Sequence, residues 1–487
     1  MSEVLAALVA VPISAAVLPP IVGRIFEDSG WPIATAALVI QTALAGYLGV
    51  LVVKGGTLSY GVGGFTPPVG IELVADGLSA PFVLLVAVVS VALTAYTRIG
   101  GPRSNPFYSL YLLLVAGLTG VCVTGDVFNL YVFLEISGLA AYALVARASG
   151  GRAALAALKY LLLGTVGATL YLLGVGYLYV ATGTLNMVDL ATHLPRESTL
   201  TLAAFAFIGV GLAVKMALYP LHVWQPDAYE HAPAAVSVLL SALVSTVAGY
   251  ALIRLVFGVF TVRFFAVHPI VDEVILLLAG VSVIAGGVLA SRQSSVKRIF
   301  AYSSVAQFGL ATVGIGLGTV PAVVGAVVQL LGHAVMKGGL FAAAGVVASR
   351  TGAASVEEYA GLGQRAPWAS GSLAVIGLGM VGIPPTVGFV AKWYIAVGAI
   401  EAGSWSMLVL VLVSTLLSLT YFGTLVQQLY VRDDRNIGTE RNVSERHASF
   451  GMRAVAVGAA VATVGLGFAA IGIASLVEPT VTALVES

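Results

Sequence analysis

Charged residues are scarce in this sequence. Asp, Glu, Lys and Arg make up 9% of its 487 residues, whereas an ordinary soluble domain has roughly 25%. Apolar residues make up 59% of the chain, and the mean hydropathy is +1.01. This composition excludes a soluble globular protein and predicts a polytopic, all-α membrane protein.

Cysteine and net charge are scarce as well. Cys122 is the single cysteine, so the chain holds neither an intrachain disulfide nor the cysteine set of an iron–sulfur cluster. The formal net charge is +1, and no basic, aromatic-rich cluster marks a nucleic-acid face. The Gly–x–Gly pairs lie inside apolar runs, where helix packing explains them better than phosphate binding. We therefore expect no cofactor, no nucleic-acid partner, and no redox or hydrolytic site in this chain alone.

Apolar runs long enough to cross the roughly 30 Å hydrocarbon core of a bilayer make up most of the chain. We number them as fourteen spans: 3–23, 32–53, 79–98, 107–124, 126–147, 155–182, 201–219, 234–258, 271–290, 297–318, 321–349, 368–397, 404–430 and 453–476. The first run has no preceding Lys or Arg and is expected to be a retained span. The Gly- and Pro-rich segment 55–78 predicts a small hairpin outside the bilayer. The charged stretch 432–447 predicts a solvated loop, with a docking surface as the alternative.

Lys and Arg are concentrated in the loops that follow odd-numbered spans. By the positive-inside rule these loops face the cytoplasm, which places both termini outside the cell membrane. Arginine is expected only in loops and at helix ends, whereas four lysines lie inside spans: Lys159, Lys215, Lys337 and Lys392. Lysine can lose its proton when desolvated and arginine does not. This division suits a membrane interior that gains and loses protons.

Glu135 stands well inside span 5, DVFNLYVFLEISGLAAYALVA. It lies about nine residues into the helix, or about 14 Å at 1.5 Å per residue, which is near the middle of the bilayer. A charge there costs roughly 3 kcal/mol on insertion scales, so it should have a partner. A proton or ion pathway is the functional interpretation, and an ion pair that only pins two helices together is the alternative.

Two spans carry a lysine beside prolines, which break a helix because proline lacks a backbone donor. Span 7 has Lys215 before Pro220, Pro226 and Pro233, and span 12 has Pro384 and Pro385 before Lys392. Broken helices at bilayer depth line protein-covered or wet cavities and form ion sites in transporters. Spans 7 and 12 are five apart, so spans 4–8 and 9–13 would be inverted repeats, with the two broken helices, each carrying one lysine, at matching positions.

Several polar residues near these spans have more than one interpretation. His333 and Lys337 are four residues apart on one helix face, which suits a proton relay, although a hydrogen-bonded core histidine is an equal alternative. Lys159 lies close to its helix start, where it could snorkel to the surface, and is a possible pathway member. His222 is another possible member; with Asp227, Glu230 and His231 it mixes imidazole and carboxylate groups. Their spacing fits no compact zinc pattern, so we expect no metal and a polar loop between helix halves.

Six stretches resemble the proton-translocating antiporter-like family. That family includes the D-type subunits of the Mrp-type cation/proton antiporters and subunits of membrane-bound hydrogenases and of the proton-pumping NADH dehydrogenase. The stretches, within roughly 107–397, are GDVFNLYVFLEIS, LKYLLLGTVGATLYLLGVGYLYVATGTLNM, VKMALYPLHVWQPDAYEHAPAAVS, SVKRIFAYSSVAQFG, HAVMKGGLF and GIPPTVGFVAKWY. GDVFNLYVFLEIS and ATGTLNM are most similar to the Mrp and hydrogenase branch.

The resemblance implies a fourteen-helix fold and a place in a complex with other membrane subunits. It also implies a polar axis through the membrane that consists of Glu135, Lys215, His333, Lys337 and Lys392. The family usually has a lysine or histidine about thirty-one residues after the seventh-helix lysine, where this chain has Thr246. Threonine holds a water but does not store a proton near neutral pH. The relay there must run through water, or be altered or interrupted.

The expected parts of the chain are helices 1–3 with the hairpin (1–106), two five-helix repeats (107–258 and 271–430), and a cytoplasmic loop with helix 14 (431–487). The leading hypothesis is a proton-translocating subunit of a multisubunit Na⁺/proton antiporter in which Glu135 and Lys215 form a coupled pair. Movement of the carboxylate would release the lysine's proton along the axis. The alternatives are a proton-pumping subunit of a redox complex and a stand-alone solute carrier.

Overall fold

The computed structural model describes residues 2–65, 67–432 and 449–486. Apart from its first residue, the predicted charged loop 432–447 lies outside the described residues. The described chain is almost entirely helical, and its strands form one two-stranded sheet.

Thirteen helices in the described ranges are long and apolar enough to cross a membrane. They are Glu3–Val22, Gly30–Gly55, Ser79–Gly100, Asn105–Val123, Val127–Val145, Gly151–Thr182, Thr199–Met216, Ala234–Val267, Pro269–Ser291, Val296–Leu317, Val320–Thr351, Trp405–Tyr430 and Phe450–Val485. The remaining span, the twelfth, consists of two 15-residue helices, Pro367–Val381 and Val387–Glu401. The prediction of an all-helical membrane protein with about fourteen transmembrane helices is confirmed.

Spans 7 and 12 are both interrupted beside their prolines, as predicted. In span 7 the helix Thr199–Met216 ends at Ala217, which is left-handed (φ 58°), and the chain resumes as Trp224–His231. In span 12 Gly382 (φ 94°) follows the first half. A left-handed residue ends a helix and leaves carbonyl groups in its last turn without helical partners. Each break therefore places polar backbone inside the membrane.

Span 8 is longer than predicted. It extends from Ala234 to Val267 instead of ending at 258, and it contains two π-helical turns, Leu240–Val244 and Val256–Phe260, the second of which is followed by a non-helical residue, Thr261 (φ 63°). π turns are rare and occur often at functional sites. Nearly all of this helix is buried, so it lies in the centre of the bundle.

The two five-helix repeats, spans 4–8 and 9–13, share one packing pattern. In each repeat the first helix packs on the second, the second on the third, and the third on the broken fourth helix. Span 8 of the first repeat contacts span 11 of the second, and the second half of span 7 contacts span 10. The fourth helices are an odd number of spans apart and therefore cross the membrane in opposite directions, which gives the inverted arrangement.

The segment between spans 2 and 3 forms the predicted hairpin. Strand β1 (Leu58–Gly61) pairs antiparallel with β2 (Glu72–Ala75), and Val62–Gly64 forms a 3₁₀ turn. The carbonyl of Glu72 accepts a hydrogen bond from the Gly125 amide, which attaches the hairpin to the loop before span 5. Other short elements are the helices Met187–His193 and Leu362–Arg365 and the 3₁₀ turn Glu357–Tyr359.

Candidate functional site

Glu135 and Lys215 form a direct ion pair within the bundle. The Lys215 Nζ donates to Glu135 Oε1 at 2.7 Å and to the Tyr142 hydroxyl at 3.3 Å. The lysine side chain is 7% exposed and the glutamate side chain 18% exposed. An opposite charge at hydrogen-bond distance is the compensation that a buried ammonium group requires. Glu135 and Lys215 therefore lie in one site, as predicted by the coupled-pair hypothesis. The Tyr142 hydroxyl is a third member of this site, and the sequence did not indicate it.

The break after Lys215 is held by side chains from three other elements. Trp224 Nε1 donates to the Val214 carbonyl at 2.9 Å, and the Ser245 hydroxyl donates to the Lys215 carbonyl at 3.0 Å. The Tyr219 amide donates to the Ser282 hydroxyl at 3.0 Å. These bonds satisfy backbone groups that the broken helix leaves open. The position of Lys215 therefore depends on spans 7, 8 and 9 together.

Lys337 lies at the centre of span 11 and is fully buried. Its Nζ donates to the Phe300 carbonyl at 2.7 Å and to the Ser303 hydroxyl, both on span 10. No carboxylate pairs with it among the described residues. Neutral acceptors satisfy the hydrogen bonds of the ammonium group but do not compensate its charge.

Lys337 belongs to a polar row on one face of span 11. His333 is one turn away; both of its ring nitrogens lack a hydrogen-bond partner among the described residues, and its ring packs on Phe308 at 4.4 Å. One turn further, Gln329 Nε2 donates to Gln307 Oε1 at 2.6 Å. Residues four apart share a helix face, so Gln329 extends this polar row beyond His333 and Lys337, the two members that the sequence predicts.

Lys392 occupies the second half of span 12. Its Nζ donates to the Val381 carbonyl at 2.9 Å and to the Thr415 hydroxyl at 3.0 Å. Val381 is the last residue of the first half, so the ammonium group lies at a helix C-terminus, where the helix dipole favours a positive charge. Lys215 ends the first half of its helix, whereas Lys392 lies in the second half, so each lysine lies on the side of its prolines that the sequence indicates.

Thr246 lies in span 8, between the helices that carry Lys215 and Lys337. It is fully buried, and its hydroxyl has no hydrogen-bond partner among the described residues. A buried polar atom without a partner costs about 1–3 kcal/mol. A tyrosine hydroxyl contacts an earlier turn of the same span: Tyr229 donates to the Leu240 carbonyl at 3.3 Å and accepts from Gln225 at 3.1 Å. A polar side chain that does not titrate near neutral pH therefore lies between these two helices.

Lys159 is paired at the membrane boundary. Its Nζ donates to Asp227 Oδ2 at 2.6 Å, and Arg298 bridges Asp227 at 3.2 Å and Glu230 at 3.0 Å. His231 lies 3.7 Å from Glu230. The two carboxylates are therefore bound to cationic side chains, and the described residues contain no cluster of three or more potential metal ligands.

His222 is buried in the loop between the halves of span 7. Its ring stacks against Tyr219 at 5.2 Å and approaches Tyr302 at 5.8 Å, and its Nδ1 has no hydrogen-bond partner in the described chain. The structure does not bring it into contact with Lys215 or Glu135 through any hydrogen bond of the described residues.

Arg254 contradicts the expectation that arginine is confined to loops and helix ends. Span 8 continues past it, and its guanidinium group is buried, donating to Asp76 Oδ2 at 2.8 Å and to the Tyr250 hydroxyl at 3.3 Å. The Asp76 carboxylate also accepts from the amides of Leu78 and Ser79. Burial alone would raise the pKa of Asp76, but Arg254 and these amides together hold it below its ordinary value.

Known proteins are similar to this chain over most of its length. The profile of the family described as NADH:quinone oxidoreductase/Mrp antiporter, TM, matches residues 124–418. The N subunit of the NADH-quinone oxidoreductase of Desulforudis audaxviator is 43% identical over 407 residues, 82% of this chain and 80% of that protein. The D-type subunit of the Na(+)/H(+) antiporter of Bacillus subtilis is 34% identical over 392 residues, 79% of this chain and 78% of that protein.

A solved structure shares the whole fold. A chain of the membrane-bound sulfane sulfur reductase, an archaeal respiratory membrane complex, superposes with a TM-score of 0.91 at 32% identity. The match covers 99% of this chain and 98% of that one.

Proposed function

We infer the function of this chain from one premise, which is that it belongs to the NADH:quinone oxidoreductase/Mrp antiporter transmembrane family. It is a multi-pass integral membrane protein of the antiporter-like type. We propose that it is the proton-translocating subunit of a multisubunit cation/proton antiporter, with Na⁺ as the exchanged cation. We further propose that it resides in the cell membrane with both termini outside and assembles with other membrane subunits.

The Glu135–Lys215 pair is the observation that carries this proposal. It lies at the end of a helix that breaks inside the membrane, and a tyrosine hydroxyl contacts the same ammonium group. Separation of the two charges removes the compensation that Lys215 requires, so its proton becomes free to leave along the axis. Coulomb energy between charges at such distances is several kcal/mol at an effective dielectric constant of about 20.

The remaining lysines provide the next proton sites. Lys337 and Lys392 meet only carbonyl and hydroxyl acceptors in the described structure, so their charge is not compensated as that of Lys215 is. Each can therefore accept a proton for part of a cycle and pass it on. We propose His333 as the relay beside Lys337, and Thr246 as the place where water carries the proton between the two halves. Lys159 and His222 remain possible members of this pathway.

A redox-driven proton pump is the second candidate function. Two of the similar proteins favour it: the 43% identical protein is named as part of an NADH-quinone oxidoreductase, and the 32% identical chain is part of a sulfane sulfur reductase. This chain would then carry protons while partner chains carry the redox chemistry. Identification of the subunits that co-purify in mild detergent distinguishes the candidates. Partners with iron–sulfur cysteines or nickel ligands support the pump, and small hydrophobic partners without them support the antiporter.

Transport by variant complexes tests the shared mechanism. Glu135→Gln and Lys215→Ala are introduced separately into the assembled complex, and proton transport is measured in vesicles, driven by a cation gradient for the antiporter and by the redox reaction for the pump. Both variants should lose transport, whereas Lys54→Ala, which removes an exposed lysine from the last turn of span 2, serves as the matched control. Wild-type transport in both axis variants would refute the mechanism for either candidate.

A further inference from the structure

Arg298, in the first turn of span 10, joins the two repeats. Its Nη1 donates to Asp227 Oδ1 at 3.2 Å and to Glu230 Oε2 at 3.0 Å. Both carboxylates lie on Trp224–His231, the second half of span 7, which we call the half-helix. The Arg298 Nε donates to Gln293 Oε1 at 3.2 Å, which orients the guanidinium group. Spans 7 and 10 belong to different repeats, so this one side chain ties the first repeat to the second.

Lys297, the neighbour of Arg298, binds the C-terminal end of the same half-helix. Its Nζ donates to the Glu230 carbonyl at 3.3 Å, and Glu230 lies in the last turn of the half-helix. A cation at a helix C-terminus interacts favourably with the open carbonyl groups and with the helix dipole. Two consecutive residues of span 10 therefore bind both the carboxylates and the backbone of the half-helix.

The half-helix in turn holds the break beside Lys215. Its first residue, Trp224, donates through Nε1 to the Val214 carbonyl at 2.9 Å, one residue before the lysine. The buried Trp224 ring also stacks on Tyr160, with the ring centroids 3.9 Å apart. The half-helix has eight residues, and its backbone hydrogen bonds make it a stiff unit. A displacement of Asp227 therefore displaces Trp224 as well.

Span 10 also carries the acceptors of Lys337. The Phe300 carbonyl accepts from the Lys337 Nζ at 2.7 Å, and the Ser303 hydroxyl accepts from the same ammonium group. Ser303 is five residues after Arg298, which is about 7.5 Å along the helix axis and about 140° around it. The first turns of span 10 therefore face the half-helix on one side and Lys337 on another.

We propose that Arg298 is a positioning residue that holds the half-helix against span 10 and thereby links the Lys215 break to the Lys337 site. This inference rests on the proposed proton axis and adds a mechanical connection to it. A shift of the half-helix on loss of the Lys215 proton moves the Arg298 contact, and with it the acceptors of Lys337. Proton loss in one repeat then changes proton binding in the other, and the reverse holds by linkage. This connection does not require Thr246 to store a proton.

A spin label at Val223 measures whether Arg298 holds the half-helix. Val223 directly precedes Trp224 and is 56% exposed. The assembled complex carries Val223→Cys with a nitroxide in a Cys122→Ala background, and the spectrum of the complex without Val223→Cys is subtracted. The label should become more mobile in Arg298→Met and less so in Arg298→Lys, which keeps a cation beside the carboxylates. Arg292→Met is the matched control, because Arg292 is exposed in the loop before span 10.

Proton transport in vesicles measures the link between the two sites. Arg298→Met should lower transport about tenfold, Arg298→Lys should recover part of it, and Arg292→Met should match the wild type. Trp224→Phe removes the bond to Val214, and Ser303→Ala removes an acceptor of Lys337. Effects at residues that share no partner multiply when the variants are combined. If Arg298 acts through these two sites, Arg298→Met combined with either variant should transport about as slowly as the slower single variant.

Three outcomes would overturn the proposal. An unchanged spectrum in Arg298→Met would show that other contacts hold the half-helix. A mobile label with wild-type transport would show that the contact has no part in proton movement. Losses that multiply in both double variants would show that Arg298 acts apart from the two sites. The proposed axis fails separately, when Glu135→Gln and Lys215→Ala both keep wild-type transport, and the label at Val223 then still decides whether Arg298 positions the half-helix.

Discussion

Removal of one member of the Glu135–Lys215 pair should destabilise the protein strongly, and removal of both should cost clearly less than the sum. Glu135→Gln leaves a charged lysine that is 7% exposed, with only neutral acceptors, the Tyr142 hydroxyl and the new amide oxygen, in place of a carboxylate. Loss of one partner of a buried ion pair costs about 3–5 kcal/mol. Lys215→Met leaves a carboxylate that is 18% exposed and closer to water, so its cost should lie near the lower end of that range.

A double-mutant cycle measures this coupling. The free energy of unfolding is determined by denaturing-detergent titration for the wild type, Glu135→Gln, Lys215→Met and the double variant. The double variant leaves no uncompensated charge, so the coupling should be about 2–3 kcal/mol. Lys159→Met is the control, because the Lys159 side chain is 42% exposed and pairs of that kind contribute about 0–1 kcal/mol.

The cycle has a clear refuting result. If the two costs add within about 0.5 kcal/mol, the charges do not interact in the folded protein, and the proposed release of the Lys215 proton by movement of Glu135 has no physical basis. A transport measurement on the double variant separates a structural role of the pair from a role in proton transfer. The double variant should recover stability and still fail to move protons, since neither proton-binding group remains.

Three other substitutions test the polar groups around the axis. Thr246→Val removes a buried hydroxyl without a partner, so stability should hold or rise by about 1 kcal/mol while transport in vesicles falls; unchanged transport would show that the hydroxyl carries no proton. Ser303→Ala takes one of two acceptors from Lys337, which should cost about 1.5–3 kcal/mol of unfolding free energy and slow transport, and full stability would contradict the contact. The lowered pKa of Asp76 means that its pairing with Arg254 stabilises the protein above the ordinary carboxyl pKa and is lost as the pH falls through the folded-state pKa. Asp76→Asn should therefore reduce stability at neutral pH and flatten its loss in acid, and an unchanged acid-unfolding curve would contradict this assignment.

The charged members of the axis could be predicted because charge is expensive inside a bilayer and stands out against apolar neighbours. Glu135 and Lys215 are 80 residues apart, and the broken helix was the signal that they belong to one site. The neutral partners could not be predicted. Tyr142, Ser303 and Thr415 are residue types that occur throughout these helices, and only tertiary packing brings their hydroxyls to the lysines.

The prediction that arginine lies only in loops and at helix ends was wrong for Arg254, and the reason is physical. The prediction ended span 8 at 258 and placed Arg254 at its end, although residues 256–267, VFGVFTVRFFAV, continue the apolar pattern. Two features that no local pattern reveals let the helix continue. Asp76, which follows strand β2 of the hairpin, compensates the arginine, and the π turn Val256–Phe260, followed by the non-helical Thr261 (φ 63°), joins the two helical parts. The fold class and the lysine positions were local properties, whereas this pairing depends on distant segments.

The π turns of span 8 bear on how this helix can change in evolution. A π turn holds one more residue in each hydrogen-bonded ring than an α turn. Insertion of one residue into a regular α-helix rotates every later side chain by about 100° relative to those before it. A bulged turn takes up the extra residue locally, so that later residues keep their faces. A lineage could thus gain or lose one residue within Leu240–Val244 without turning Arg254 away from Asp76. Related chains that are one residue longer or shorter there can keep the same polar axis, even though the number of residues between the span 7 lysine and the later part of span 8 differs.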